Sequence, residues 1–200
     1  MGIVRWVNRI EPARYEQVCA ILTGKDVRNI DDVKQILTVL ETPVDEEYLE
    51  QLEYWFDEDS SESQSHILFS ILERAIIEES WELDKALDSG LDTVFRVLPG
   101  MSSLVKLVDF KGIDVPEPGF LEPEVDLVMA IWSSQALTDL LPPIHHYATQ
   151  EVLAGLTEPQ YQKAVQVFRS DYYWGHWLSL RDAVLTTSGQ HHYLGMGISV

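Results

Sequence analysis

The pattern that most constrains this chain is a change of period. At both ends apolar residues fall at every second position, as on a strand; between them they recur at three and four, as on a helix. Over residues 2–10, Val4, Trp6, Asn8 and Ile10 share one face of a strand, and Ile3, Arg5, Val7 and Arg9 share the other. Over 190–200, His192, Leu194, Met196, Ile198 and Val200 form an apolar face opposite His191, Tyr193, Gly195, Gly197 and Ser199. The expected fold is α+β: a mostly helical single domain spanning 1–200, with a small sheet that includes the N- and C-terminal strands.

The helical stripes are explicit. Glu11-Pro12 opens a helix whose inward residues are Tyr15, Val18, Cys19 and Leu22, and Gly24 stops it. A second helix over 31–40, capped by Asp31 or Asp32, turns Val33, Ile36, Leu37 and Leu40 inward. A third over 45–56 begins with acidic residues beside the positive end of its dipole. The periodicity predicts further helices over 64–79, 81–98 and 124–141, the last ended by Pro142-Pro143. Thr157 and Gln160 have the spacing of a capping box, ahead of Tyr161, Ala164, Val165 and Phe168. The aromatic stretch SDYYWGHW (170–177) reads as a turn before a last helix over 177–188. DEDSSES, within an acidic stretch near 57–65, reads as an exposed loop. KGIDVPEPGFLEP, near 111–123, reads as an extended Pro/Gly connector.

Charge narrows the function. Fourteen Lys and Arg face 33 Asp and Glu, a formal net charge of −19. Such a surface repels phosphate backbones and anionic lipid, so neither nucleic acid nor membrane is an expected partner; a basic protein is. Solubility alone also accounts for an acidic surface. Residues 1–10 lack a signal-peptide core and the Ser or Thr of a myristoylation motif, and no apolar run reaches membrane length, so the expected location is cytoplasmic. The single cysteine, Cys19, excludes an internal disulfide and a zinc site built on thiolates, and its stripe position makes it a core residue.

The candidate residues are few. Asp84, Asp88 and Asp92 recur every four residues and would line one face of the 81–98 helix, either as a docking stripe for a basic partner or as a solvated face. Trp174 and Trp177, flanking Gly175-His176, would serve as interface anchors or as core. The sequence reads His-His-Tyr twice, at 145–147 and 191–193. Under an alternative reading, a metal-dependent hydrolase, the ligands would be His145, His146 and His191 with a nearby carboxylate. None of these histidines has HxxxH or HExxH spacing, and alternation places His192 with the core, away from His191. No nucleophile elbow, P-loop or dinucleotide fingerprint occurs, so no cofactor and no catalytic residue is assigned. The expected function is a non-enzymatic interaction module, immunity- or inhibitor-like, that binds a basic partner.

Three segments resemble the YfbM-like family of bacterial proteins, a domain family without an established activity. These are the opening MGIVRWVNRIEP, the central LDKALDSGLDTVFRVLPG (83–100), and the closing WLSLRDAVLTTSGQHHYLGMGISV (177–200). Tryptophan is absent soon after Lys85-Ala86, where that family usually has one. The resemblance implies an α+β fold and hands over no site residues.

Overall fold

A computed structural model describes residues 4–44, 46–56, 64–109, 114–115, 118–120 and 129–199. In chain order the elements are β1 (Val4–Ile10), α1 (Pro12–Leu22), α2 (Ile30–Val39), α3 (Glu46–Trp55), α4 (Gln64–Ile76) and β2 (Ile77–Asp84). A π-helical turn, Leu87–Leu91, leads into α5 (Asp92–Val97). Then follow α6 (Val105–Val108), β3 (Met129–Trp132), α7 (Ser134–Leu137), α8 (Leu141–His146), α9 (Gln162–Phe168), α10 (Asp171–Gly189) and β4 (Tyr193–Ser199). The α+β class, mostly helical with a small sheet that holds both terminal strands, is the one the sequence predicts.

The chain resolves into two compact units. The sheet unit comprises the described parts of Met1–Ile10, Glu78–Val115 and Val128–Val200; the helical unit comprises those of Glu11–Ile77 and Pro116–Leu127. The four strands are ordered β2-β1-β4-β3. β4 pairs antiparallel with β1 (Val7 opposite Met196) and with β3 (Ala130 opposite Met196, Trp132 opposite Leu194). Those side chains share one face, and all of them are buried in one cluster with Trp177, Leu180 and Val184 of α10. The predicted alternation over Leu194 and Met196 is thereby realised.

In the helical unit, Tyr15, Val18 and Leu22 of α1 are buried, as are Val33, Ile36 and Leu37 of α2 with Leu40 beyond it. α1 packs along α4, which buries Ile71, Leu72 and Ile76. Gly24, at φ +75°, ends α1 by adopting the left-handed conformation that side chains resist. The N-cap of α2 is Asn29, whose side chain accepts from the N–H groups of Asp31 and Asp32. The two aspartates expected to cap are therefore themselves capped.

Two predicted helices and two predicted helix ends are corrected. The 81–98 helix is the end of strand β2, a turn, the π-helical turn and α5. Leu83, Leu87 and Leu91 are spaced like a helix stripe, but Leu83 owes its burial, as Trp81 does its partial burial, to strand alternation. Within 124–141, residues 129–132 form β3, because an apolar run this short fits a buried strand as well as a helix. Pro142-Pro143 lies in the first turn of α8 instead of ending a helix, since a first-turn residue has no N–H partner to lose. The capping box is not formed either: Pro159–Tyr161 is a 3-10 turn, and the Gln160 amide donates to Glu158 Oε2 at 2.9 Å. The stripe behind it holds, with Ala164, Val165 and Phe168 buried. Residues 57–63 of the acidic loop, and all of the Pro/Gly connector except 114–115 and 118–120, lie outside the described residues.

Candidate functional site

The candidate site forms where β2 ends and α10 begins, both in the sheet unit. Asp84, the last residue of β2, has φ +45°, a left-handed conformation that is rare and strained for a side chain. Its Oδ2 accepts a 2.6 Å hydrogen bond from the Tyr172 hydroxyl in the first turn of α10. Tyr172 keeps 43% of its surface exposed. Its ring meets His176 edge-on, centroids 4.7 Å apart, and Tyr173 at 5.0 Å.

The π-helical turn lies against the same end of α10. Ser89 Oγ donates to Lys85 O at 2.8 Å and lies 3.2 Å from the Tyr173 hydroxyl. A side chain at Gly90 would overlap the Tyr173 ring, so only glycine lets the turn approach this closely. π-turns store strain and recur at functional positions. The electrostatics follow from the contacts. The Tyr172 hydrogen bond holds the Asp84 carboxyl below the usual carboxylate range. Desolvation, then the bond to Asp84 and its charge, push the Tyr172 hydroxyl up to about 12. At neutral pH the pair is an anion under a protonated phenol. It offers an acceptor and an aromatic face, not a nucleophile.

The three aspartates do not form a helix stripe. Asp84 ends a strand, Asp88 lies in the π-helical turn, and Asp92 opens α5. Each holds an internal partner. Asp88 receives a bidentate grip from the nearly buried Arg5, Nε to Oδ2 at 2.8 Å and Nη2 to Oδ1 at 2.5 Å. Asp92 accepts from Arg96 Nε at 2.5 Å, and Arg96 also reaches Asp109 at 2.6 Å. The tryptophans also separate. Both lie inside α10, not in a turn. Trp177 is fully buried, donates Nε1–H to Tyr147 O at 2.9 Å and packs on Phe168 and Phe95, so it cannot anchor a partner. Trp174 is half-buried on Phe168, centroids 5.0 Å apart.

The histidines part in the same way. His145 and His146 end α8 on the surface, and His191 holds the turn after α10 at φ +57°, its N–H donating to Ser188 O at 3.2 Å. Among the described residues, no group of three or more His, Cys, Asp or Glu is placed to hold a metal ion, and His145, His146 and His191 do not form one. His192 is half-buried rather than core. It precedes β4, with Nδ1 2.9 Å from Gln190 O and Nε2 3.4 Å from Glu78 Oε2.

In the helical unit, Glu73 is the carboxyl that burial moves most, up to about 7. Its neighbours include Tyr48, whose hydroxyl accepts from Ser70 at 3.3 Å and whose ring lies 4.5 Å beneath Arg74. Cys19 is half-buried rather than core, and desolvation raises its thiol to about 11, which leaves it protonated and inert. Sequence reasoning found Asp84 but missed Tyr172, because the stretch 170–177 read as a turn and no contact between it and Asp84 could be seen. Among the described residues no helix is long and apolar enough to cross a membrane. No protein-family model, curated protein or solved structure matches this chain.

Proposed function

We propose that the chain is a cytoplasmic, non-enzymatic interaction module that takes a basic protein on the surface where Asp84 meets Tyr172. The observation that carries this is the exposed Tyr172 ring held over an ionised carboxylate by a 2.6 Å hydrogen bond. A tyrosine so fixed gives up little conformational freedom on binding, and its ring and the carboxylate both attract a lysine or arginine. The net charge of −19 steers such a partner toward the surface. An immunity- or inhibitor-like role, neutralising one basic protein by stoichiometric binding, is its concrete form. Kinship with the YfbM-like proteins is proposed on the three resembling segments alone.

Affinity capture with the full chain, washed at low salt and then at about 0.5 M, tests the reading. One basic protein, retained in stoichiometric amount at low salt, is the expected result. It should be released at high salt and not retained by the Asp84→Asn/Tyr172→Ala variant. Retention that ignores both salt and the double substitution would remove the reading.

A further inference from the structure

The two edges of the sheet are treated differently. The β3 edge is occupied: the Asp114 N–H donates to Ile131 O at 2.7 Å, and Ser133 Oγ donates to Asp114 Oδ2 at 2.8 Å. The β2 edge is not. Strand β2 stands last in the order β2-β1-β4-β3, and its residues Glu78, Glu79, Ser80 and Glu82 are exposed. Among the described residues of the sheet unit, no backbone hydrogen bond from outside the sheet reaches Glu78–Asp84. An eight-residue strand with an open edge is a template for another strand.

Alternation divides its side chains. Leu83 is buried and Trp81 half-buried on the core face, with Glu79 beside them. Glu78, Ser80 and Glu82 point to the opposite face. Arg9 neutralises part of this charge, reaching Glu78 at 3.0 Å and Glu79 at 3.1 Å, whereas Glu82 has no ion pair among the described residues. Carboxylates on both faces make the edge reject a second copy of itself, because like charges would stand directly opposite. The strand that fits carries cationic side chains toward Glu78 and Glu82 and an apolar one beside Trp81.

We propose that the β2 edge binds an extended basic segment of a partner protein, which adds to the sheet as a fifth strand. The inference rests on the proposed basic partner and specifies how it docks. Main-chain hydrogen bonds supply the affinity and the alternate carboxylates the selection. The added strand would run alongside Asp84, which ends β2, and so reach Tyr172.

A fluorescein-labelled peptide of alternating lysine and valine is the probe, with a second peptide of the same sequence N-methylated at every residue. The two carry the same charge, but the second cannot complete a strand ladder. Anisotropy titrations against the full chain should give at least about tenfold weaker binding for the N-methylated peptide. A similar loss is expected for Glu78→Lys/Glu82→Lys, its fold checked by circular dichroism. Hydrogen exchange should slow across 77–84 when the first peptide is added. Equal binding of both peptides would overturn strand addition and leave a basic-partner surface standing. If neither peptide binds, strand addition falls, and the capture experiment alone decides whether a basic partner exists.

Discussion

The sheet unit and the helical unit are stabilised by different chemistry. In the sheet unit one continuous apolar cluster surrounds Trp177, Phe95 and Phe168, with fixed polar pairs such as Arg5–Asp88 and Trp177–Tyr147 beside it. The helical unit leaves ionisable groups in its partly dry interior. Glu73, Cys19 and Tyr48 all shift for one leading reason, desolvation. A dry apolar core is insensitive to pH, whereas half-buried titratable groups make stability depend on it. The sheet unit should therefore fail when its packing is cut, and the helical unit when its protons are removed.

The largest expected effect tests the packing side. Trp177→Ala should cost about 3–5 kcal/mol, because it opens a cavity among Phe95, Phe168 and Tyr147 and leaves the Tyr147 carbonyl without its donor. Trp174→Ala, at the half-exposed edge of the same cluster, should cost about 1 kcal/mol. Denaturant unfolding followed by tryptophan fluorescence checks both, since five of the six tryptophans, all but Trp55, belong to the sheet unit. Similar losses from the two substitutions would show that the core is not centred on Trp177.

The next effect tests the proton side. Glu73 has a folded value of about 7, against 4.5 for the free side chain. The folded state therefore holds the proton more tightly. Its contribution is full below about 4.5 and is lost as pH rises through about 7. Glu73→Gln should leave stability nearly unchanged at about pH 4 and raise it by roughly 2 kcal/mol at about pH 8. Far-UV circular dichroism during thermal unfolding at the two pH values reads this directly. A gain of equal size at both would place the effect elsewhere than in the titration.

The smallest effect sharpens the contrast at a single backbone angle. His191 occupies the left-handed position that closes α10, with its N–H bonded to Ser188 O. His191→Gly should stabilise by about 0.5–1 kcal/mol, because glycine enters this conformation without strain. A loss on substitution would mean that the imidazole has an interaction worth more than the strain.

Legibility in the sequence followed the range of the forces. The stripes of α1 and α2 and the alternation of β4 could be read because each is set by neighbours within a turn or two. β2 could not, since Trp81 and Leu83 obey period two while Leu87 and Leu91 continue them at helical spacing. The aromatic run 170–177 reads as a turn because Gly175 interrupts it, yet tertiary packing of Trp177 overrides that local signal and extends α10 back to Asp171. Of the candidate site, Asp84 was visible as part of a supposed stripe. Its bond to Tyr172 was not, because a contact between residues 84 and 172 leaves no trace in local periodicity.

The register of β4 has a consequence for how the chain is made. Val4 pairs with Ser199 and Ile10 with Tyr193, so the central ladder of the sheet joins β1 to a strand made almost two hundred residues later. The contacts of the helical unit close over far shorter loops, among α1, α2, α3 and α4. On a ribosome those helices can pack while β1 still waits for β4, with one strand edge open to other chains. Refolding in vitro should show the same order, with helix formed early and tryptophan burial late. The slow, aggregation-exposed interval should end only when β4 closes against β1.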